Sequence, residues 1–195
     1  MWKMLEELPA SYAMDIAYTG GGVTAVLWGV YDERFDTWYI VDEYKSKGAS
    51  KADHVNAIQA RGKWIDGVID PSSYRQVSTD DQRKIIESYM DLGLFLIPAD
   101  NTVEAGIQEV YQRMLSGRLK ISSKCQDLFK ELRVYRRDED WKIIKHNDHL
   151  TDNLRYLIMS GHKVLNQNPK FIDPDGDNSD PWNRTSMYKD KYTGY

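Results

Sequence analysis

The chain has 195 residues, 41% of them hydrophobic, which is enough for one domain with a sizeable core. Cys125 is the only cysteine, so an intrachain disulfide is excluded, as is usual for proteins of a reducing compartment. There is neither an apolar run long enough to span a bilayer nor a signal-peptide pattern, and we expect a soluble cytoplasmic protein. The net charge of −4 argues only weakly against a nucleic-acid partner, because carboxylates that hold divalent cations would offset it.

The first part of the chain has the pattern of three strands with short connections. Residues 11–17, 23–32 and 37–45 are rich in β-forming residues. The glycines within 19–22 indicate a tight turn between the first two strands. We therefore expect an antiparallel meander at the start of the fold.

Helical and strand patterns then alternate as far as residue 160. Helices are predicted over 50–61, 79–92, 102–116, 124–133 and 148–160, and strands over 64–70, 94–99 and 118–122. Residues 134–148 have the pattern of a hairpin or loop. This order implies an α/β fold with a mixed sheet and helices on both of its faces.

The composition changes at Asn166. From there on the chain is rich in Asp, Asn and Pro and has no periodicity. We therefore predict one domain over 1–165 and a polar tail over 166–195 that is mobile or binds a partner.

Asp15 is the first candidate site residue. It lies within the first predicted strand, and its neighbours on the same face, Ala13 and Ala17, are small. Because burial of an unpaired carboxylate is strongly unfavourable, the space in front of Asp15 must hold a cation or hydrogen-bond donors. The alternative is a structural aspartate that is hydrogen-bonded or paired with an arginine.

Asp70 is the second candidate, at the end of the run "GVID" before Pro71. Ligand-binding residues of open α/β sheets favour the carboxyl ends of strands. The alternative is that Asp70 only caps the turn "DPSS".

The third candidate group lies at the start of the last predicted helix. Asp152 follows His149 by three residues, so the two share one helix face. An apolar stripe lies on roughly the opposite side and comprises Leu150, Leu154, Leu157 and Ile158. The alternative is that His149 and Asp152 form the solvated face of an amphipathic helix.

Taken together, these carboxylates favour one chemistry. Oxygen ligands suit Mg²⁺ and Mn²⁺, and several carboxylates can hold two ions that stabilise the attacking and leaving oxygens of phosphodiester cleavage. The sequence has neither a cysteine-based zinc pattern nor the GxxxxGK[ST] phosphate loop of ATP-binding proteins.

Three segments carry a family resemblance. "MDIAYTGGGVTAVLWGV", "GVIDPSS" and "DHLTDNLRYLI" resemble the C-terminal nuclease domain of the large terminase subunit of tailed bacteriophages, a member of the ribonuclease H-like superfamily. The last segment is the most specific. The resemblance covers residues 11–160 and leaves the tail without a motif.

The resemblance implies a fold and a set of site residues. The expected fold is a mixed sheet of five strands, or slightly more, with the second strand antiparallel to the others. Asp15, Asp70 and Asp152 would be catalytic and bind Mg²⁺ or Mn²⁺, with two ions expected. His149 matches a metal-adjacent histidine of some members and is a further catalytic candidate, and Asp148 is a further candidate ligand.

The resemblance also implies a function and partners. The expected activity is metal-dependent cleavage of double-stranded DNA, the concatemeric viral genome, during phage DNA packaging in the host cytoplasm. Expected partners are a packaging ATPase domain, the small terminase subunit and the portal protein, with no membrane partner. Alternatives are a Holliday-junction resolvase or recombinase on the same fold, and a non-catalytic docking module.

A basic run is the candidate DNA contact. It comprises Arg133, Arg136, Arg137, Lys142 and Lys145. Such a run could follow a phosphate backbone. Because Asp138, Glu139 and Asp140 interrupt it, a salt-bridged solvated hairpin is an equal alternative.

Overall fold

One mixed β-sheet forms the centre of the computed structural model, which describes residues 5–16, 22–77, 84–144 and 147–172. Its strands are β1 (Ala10–Asp15), β2 (Val23–Asp32), β3 (Thr37–Lys47), β4 (Gly67–Ile69), β5 (Leu96–Pro98) and β6 (Leu119–Ile121). The six strands are ordered β5-β4-β1-β2-β3-β6.

The strand directions follow the meander that the sequence predicts. β2 pairs antiparallel with both β1 and β3, while β4, β5 and β6 join by parallel pairing. The prediction of a mixed sheet with an antiparallel second strand is therefore confirmed. The Gly-rich turn at 19–22 lies largely outside the described residues, as does Ala17.

Helices cover both faces of the sheet, as predicted. They are α1 (Lys51–Gln59), α2 (Ile85–Asp91), α3 (Val103–Leu115), α4 (Gln126–Val134) and α5 (His149–Ser160). Of the helix predicted over 79–92, residues 79–83 lie outside the described chain. The strand predicted over 64–70 begins only at Gly67, because the Ile65 amide closes a turn onto the Gly62 carbonyl.

The side-chain alternation of β1 separates two cores. Ala13 packs in the cluster that contains the leucines of α5, whereas Tyr12 and Met14 pack in the other cluster, with α1 and α2. Asp15 lies two residues after Ala13 and is therefore on the α5 side. It is the last residue of β1 and not a mid-strand residue as expected, and its side chain is only 17% exposed.

The chain continues to pack beyond the predicted boundary at residue 165. Asn166 exchanges both backbone hydrogen bonds with Ala10, and its side-chain amide donates to the Trp64 carbonyl. The part of the tail from residue 173 onward lies outside the described residues. Among the described helices, none has the length and apolar character to cross a bilayer.

Candidate metal centre

A cavity of about 330 Å³ brings together the predicted acids. It is lined by Asp15, Asp70, Ser72, Asn101, Val103, Tyr135, Ile143, Asp148, His149, Asp152, Arg155 and Tyr156. β1, the turn after β4, and α5 thus contribute to one wall. A larger cavity, of about 510 Å³, has Glu7 as its one acid, so the smaller cavity is the candidate centre.

Asp15 and His149 are in direct contact. His149 Nδ1 lies 2.7 Å from Asp15 Oδ2, and Nδ1 is the donor when Asp15 is ionised, because an ionised carboxylate only accepts. Burial raises the pKa of Asp15, and the hydrogen bond from His149 offsets this rise only in part. That hydrogen bond also raises the pKa of His149. The sequence analysis required a cation or a hydrogen-bond donor in front of Asp15. The structure provides a donor, and this donor is His149, itself a predicted site residue.

Asp70 caps a turn and lines the cavity at the same time. Its carboxylate accepts from the Ser72 amide at 3.1 Å and from the Ser72 hydroxyl, which is the turn-capping role considered for "DPSS". The Tyr156 hydroxyl lies 3.5 Å from its Oδ1. The two readings of Asp70 are therefore compatible, because the turn fixes the carboxylate at the wall of the cavity.

The first turn of α5 supplies two more carboxylates. Asp148 is the N-cap residue, yet within the described chain its side chain makes no capping hydrogen bond. Asp152 Oδ1 accepts from Arg155 at 2.9 Å, and its side chain is 21% exposed. His149 and Asp152 are thus part of a cavity wall, contrary to the alternative of a freely solvated face.

The donor set fits hard divalent cations. Carboxylate oxygens are the ligands that Mg²⁺ and Mn²⁺ prefer, and the charges of Asp70 and Asp152 lie close enough to raise the pKa of Asp15. Within the described residues, however, no three acidic, histidine or cysteine side chains already form a cluster able to hold an ion. Hydrogen bonds to Ser72, His149 and Arg155 hold Asp70, Asp15 and Asp152, respectively.

Comparison with known proteins identifies the family. A family model described as the Terminase RNaseH-like domain matches residues 12–160. The chain belongs to this family. The prediction of a large-terminase nuclease domain with a ribonuclease H-like α/β fold is thereby confirmed.

Individual relatives agree with this assignment. The large terminase subunit of Salmonella phage P22 is 29% identical over 154 residues, which are 75% of this chain and 30% of that protein. The chain spans about a third of the length of the curated relatives it matches.

Solved nuclease domains share the fold. The P22 large terminase nuclease domain has a TM-score of 0.74 at 24% identity, covering 86% of this chain and 88% of its own. The nuclease domain of the bacteriophage SPP1 large terminase, solved with bound Mn, has a TM-score of 0.56 at 16% identity and covers 75% of this chain and 83% of its own.

In this terminase nuclease domain, a buried glutamate that the sequence analysis missed holds the start of α5. Glu131 of α4 accepts from the amides of Leu150 at 2.7 Å and Thr151 at 3.0 Å, and from Lys45 Nζ at 2.6 Å. A carboxylate at a helix N-terminus satisfies free amides and the positive end of the helix dipole. Glu131 therefore fixes the turn that carries His149 and Asp152.

A second buried polar side chain links α5 to the sheet opposite Asp15. Asn153 is fully buried, and its amide donates to the Ala25 carbonyl at 2.9 Å. Ala25 is the β2 residue paired with Asp15 of β1. Asn153 thus ties α5 to β2 beside the end of β1, which its position within an amphipathic helix did not indicate.

The predicted DNA-contact residues do not share one environment. Arg137 is paired with Glu104 at 2.6 Å and donates to the Trp141 carbonyl, while Arg133, Arg136 and Lys142 are exposed. Lys145 lies outside the described residues. A bridge between Arg137 and Ile143 closes a hairpin, as predicted, and Ile143 lines the cavity.

Proposed function

We propose that this chain is a metal-dependent endonuclease that cleaves double-stranded DNA by two-ion phosphodiester hydrolysis. The observation that carries the proposal is the meeting of four carboxylates from β1, the turn after β4 and α5 in one cavity of a terminase nuclease fold. These acids come from sites far apart in sequence, and the fold brings their carboxylates to the same space.

Each acid has a distinct place in the proposed mechanism. Asp15, Asp70 and Asp152 would hold the ions, and Asp148 is the further candidate ligand. When bound, Mg²⁺ or Mn²⁺ supplies activated water and charge stabilisation at the phosphate. His149 orients the carboxylate of Asp15, because its Nδ1–H is directed at Oδ2. Bound Mn in the SPP1 relative supports the choice of ion.

The substrate and partners follow from the family. We propose that the substrate is the concatemeric viral genome, cut during packaging in the host cytoplasm. The chain spans about a third of its curated relatives. From the family resemblance we propose the packaging ATPase domain, the small terminase subunit and the portal protein as its partners. The basic hairpin beside the cavity would contact the DNA backbone, and the tail beyond residue 172 would serve a partner.

Supercoiled plasmid tests the activity directly. The purified chain should nick or linearise the plasmid with Mg²⁺ or Mn²⁺ and not with chelator. Asp152→Asn should lose about two to three orders of magnitude in rate while keeping the fold, the scale of one lost electrostatic contact. His149→Ala should be milder.

Asp127→Asn is a matched control, since Asp127 pairs with Lys130 on α4 and does not line the cavity. Cleavage in chelator equal to that with Mn²⁺, or wild-type nicking by Asp152→Asn, would contradict the proposal.

A further inference from the structure

Arg155 is a buried cation within the acidic cavity. Its side chain is 4% exposed, and its guanidinium donates to Asp152 Oδ1 at 2.9 Å and to Asn101 Oδ1 at 2.9 Å. The guanidinium carbon lies 4.7 Å from the centre of the Tyr156 ring. Its Nε has no hydrogen-bond partner among the described residues. The guanidinium is thus desolvated, and among the described residues Asp152 is the carboxylate with which it is paired.

A glycine on the neighbouring helix makes room for this side chain. A Cβ at Gly106 of α3 would clash with Cγ of Arg155 and lie 2.7 Å from its Cδ. Glycine is unfavourable inside a helix, but because it lacks a Cβ it allows α3 and the Arg155 stem to approach closely. The position of Arg155 is therefore defined by packing as well as by charge.

We propose that Arg155 is a built-in counter-charge that occupies Asp152 in the ion-free domain and competes with divalent cations for it. Like charges held close repel, and the charges of Asp70 and Asp152 act on Asp15 by raising its pKa. A fixed cation on Asp152 relieves that repulsion. The same contact takes one ligand oxygen and lowers the negative charge that would attract an ion. This inference rests on the proposed function only in assuming that the cavity binds divalent ions.

Arg155 should therefore stabilise the metal-free domain and weaken its affinity for divalent ions. Arg155→Met keeps much of the stem and removes the charge and both hydrogen bonds. Its Kd for Mn²⁺ should fall by about tenfold, the scale of one hydrogen bond to a charged group. A residue that merely positions Asp152 for the ion would give the opposite sign, because its loss would weaken Mn²⁺ binding.

The test is titration of Mn²⁺ into the metal-free chain. Binding is measured by calorimetry or by the electron paramagnetic resonance signal of free Mn²⁺. Arg113→Met is the matched control: Arg113 is also largely buried and ion-paired, with Asp36 and Glu109, but lies outside the cavity. Gly106→Ala displaces the Arg155 stem from another helix without changing any charge, and it covers the case in which Arg155→Met fails to fold.

Tighter Mn²⁺ binding by Arg155→Met or Gly106→Ala, with Arg113→Met unchanged, supports the counter-charge. If the wild type binds Mn²⁺ and neither folded cavity variant binds it more tightly, the counter-charge is refuted while the proposed function stands. If the wild type and both cavity variants bind no Mn²⁺, both proposals fail.

Discussion

The Nδ1 atom of His149 and the Oδ2 atom of Asp15 lie 2.7 Å apart, although 134 residues separate them in the sequence. This contact joins the first turn of α5 to the last residue of β1. A displacement of the helix by one ångström would therefore change the position of an acid on the sheet. The contacts that hold the start of α5 should for this reason affect ion binding as well as stability.

Glu131→Gln is the first prediction. A neutral amide has one acceptor oxygen for the Leu150 and Thr151 amides and leaves Lys45 without its ion pair. We expect a loss of about 1–3 kcal/mol in the free energy of unfolding, the scale of leaving buried polar groups unsatisfied. Because His149 and Asp152 belong to the same helical turn, the affinity for Mn²⁺ should also fall.

Glu43→Gln is the matched comparison for Glu131→Gln. Glu43 of β3 accepts from the amides of Asp127 and Leu128, and so caps α4 as Glu131 caps α5. Urea unfolding should show destabilisation in both variants, and Mn²⁺ titration should show weaker binding only in Glu131→Gln. Equal Mn²⁺ affinities in the two variants would mean that Glu131 has a purely structural role.

DNA binding should depend on the exposed members of the basic run. Arg136→Ala and Lys142→Ala each remove one candidate phosphate contact and should reduce the slope of log K against log salt by about one unit. Arg137→Ala should instead loosen the hairpin, because Arg137 is already paired with Glu104. DNA-binding assays over a series of salt concentrations measure this slope for each variant and for the wild type. An unchanged slope in the double variant Arg136→Ala/Lys142→Ala would place the DNA elsewhere.

His54 predicts a pH dependence that is separate from the acidic cavity. It is buried in the α1 and α2 core, its Nδ1 lies 3.1 Å from the Tyr44 hydroxyl, and burial lowers its pKa. Above the ordinary value of 6.5 both folded and unfolded states carry neutral His54, and its full contribution to stability is present. As the pH falls below 6.5, His54 becomes protonated in the unfolded chain but stays neutral in the folded chain, so the free energy of unfolding decreases.

The comparison is His54→Gln. The stability difference between wild type and His54→Gln should shrink as the pH falls from 8 to 5.5, as measured by urea unfolding at each pH. Subtracting the variant removes the contribution of His149, whose raised pKa acts with the opposite sign. A difference that is constant over this range would mean that folded His54 titrates normally.

The parts of the site that the sequence could predict are those with local signals. Asp70 ends a short β-rich run before proline, and Asp152 follows His149 at a helical spacing, so both positions were visible in the sequence. The contact of Arg155 with Asp152 also has the i, i+3 spacing of a helical ion pair. The spacing alone does not distinguish a solvated pair from one that lies in a cavity beneath a second helix.

Other features have no local signal. Glu131 and Lys45 are 86 residues apart, and each looks like an ordinary exposed charge in the sequence. Their pairing and the burial of Glu131 are decided by how α4 packs beside β3, which only the tertiary fold specifies. The end of β1 at Asp15 was also misplaced, because the β-propensity of the residues does not show where pairing with β2 stops.

Asp15→Asn should make the metal-free domain more heat-stable while abolishing cleavage. Burial raises the pKa of Asp15, and the nearby charges of Asp70 and Asp152 add to the rise, so ionised Asp15 opposes folding at neutral pH. Asparagine keeps the shape and can still accept the hydrogen bond from His149. The gain should be about 1 kcal/mol, which raises the melting temperature by about 2–4 °C in a chain of this size. With saturating Mn²⁺ the difference in melting temperature between Asp15→Asn and the wild type should shrink or change sign, because ions stabilise the intact site by mass action. Melting curves of both proteins, in chelator and in Mn²⁺, measure this. If Asp15→Asn melts below the wild type in chelator, the contact with His149 outweighs desolvation, and Asp15 is a satisfied structural aspartate.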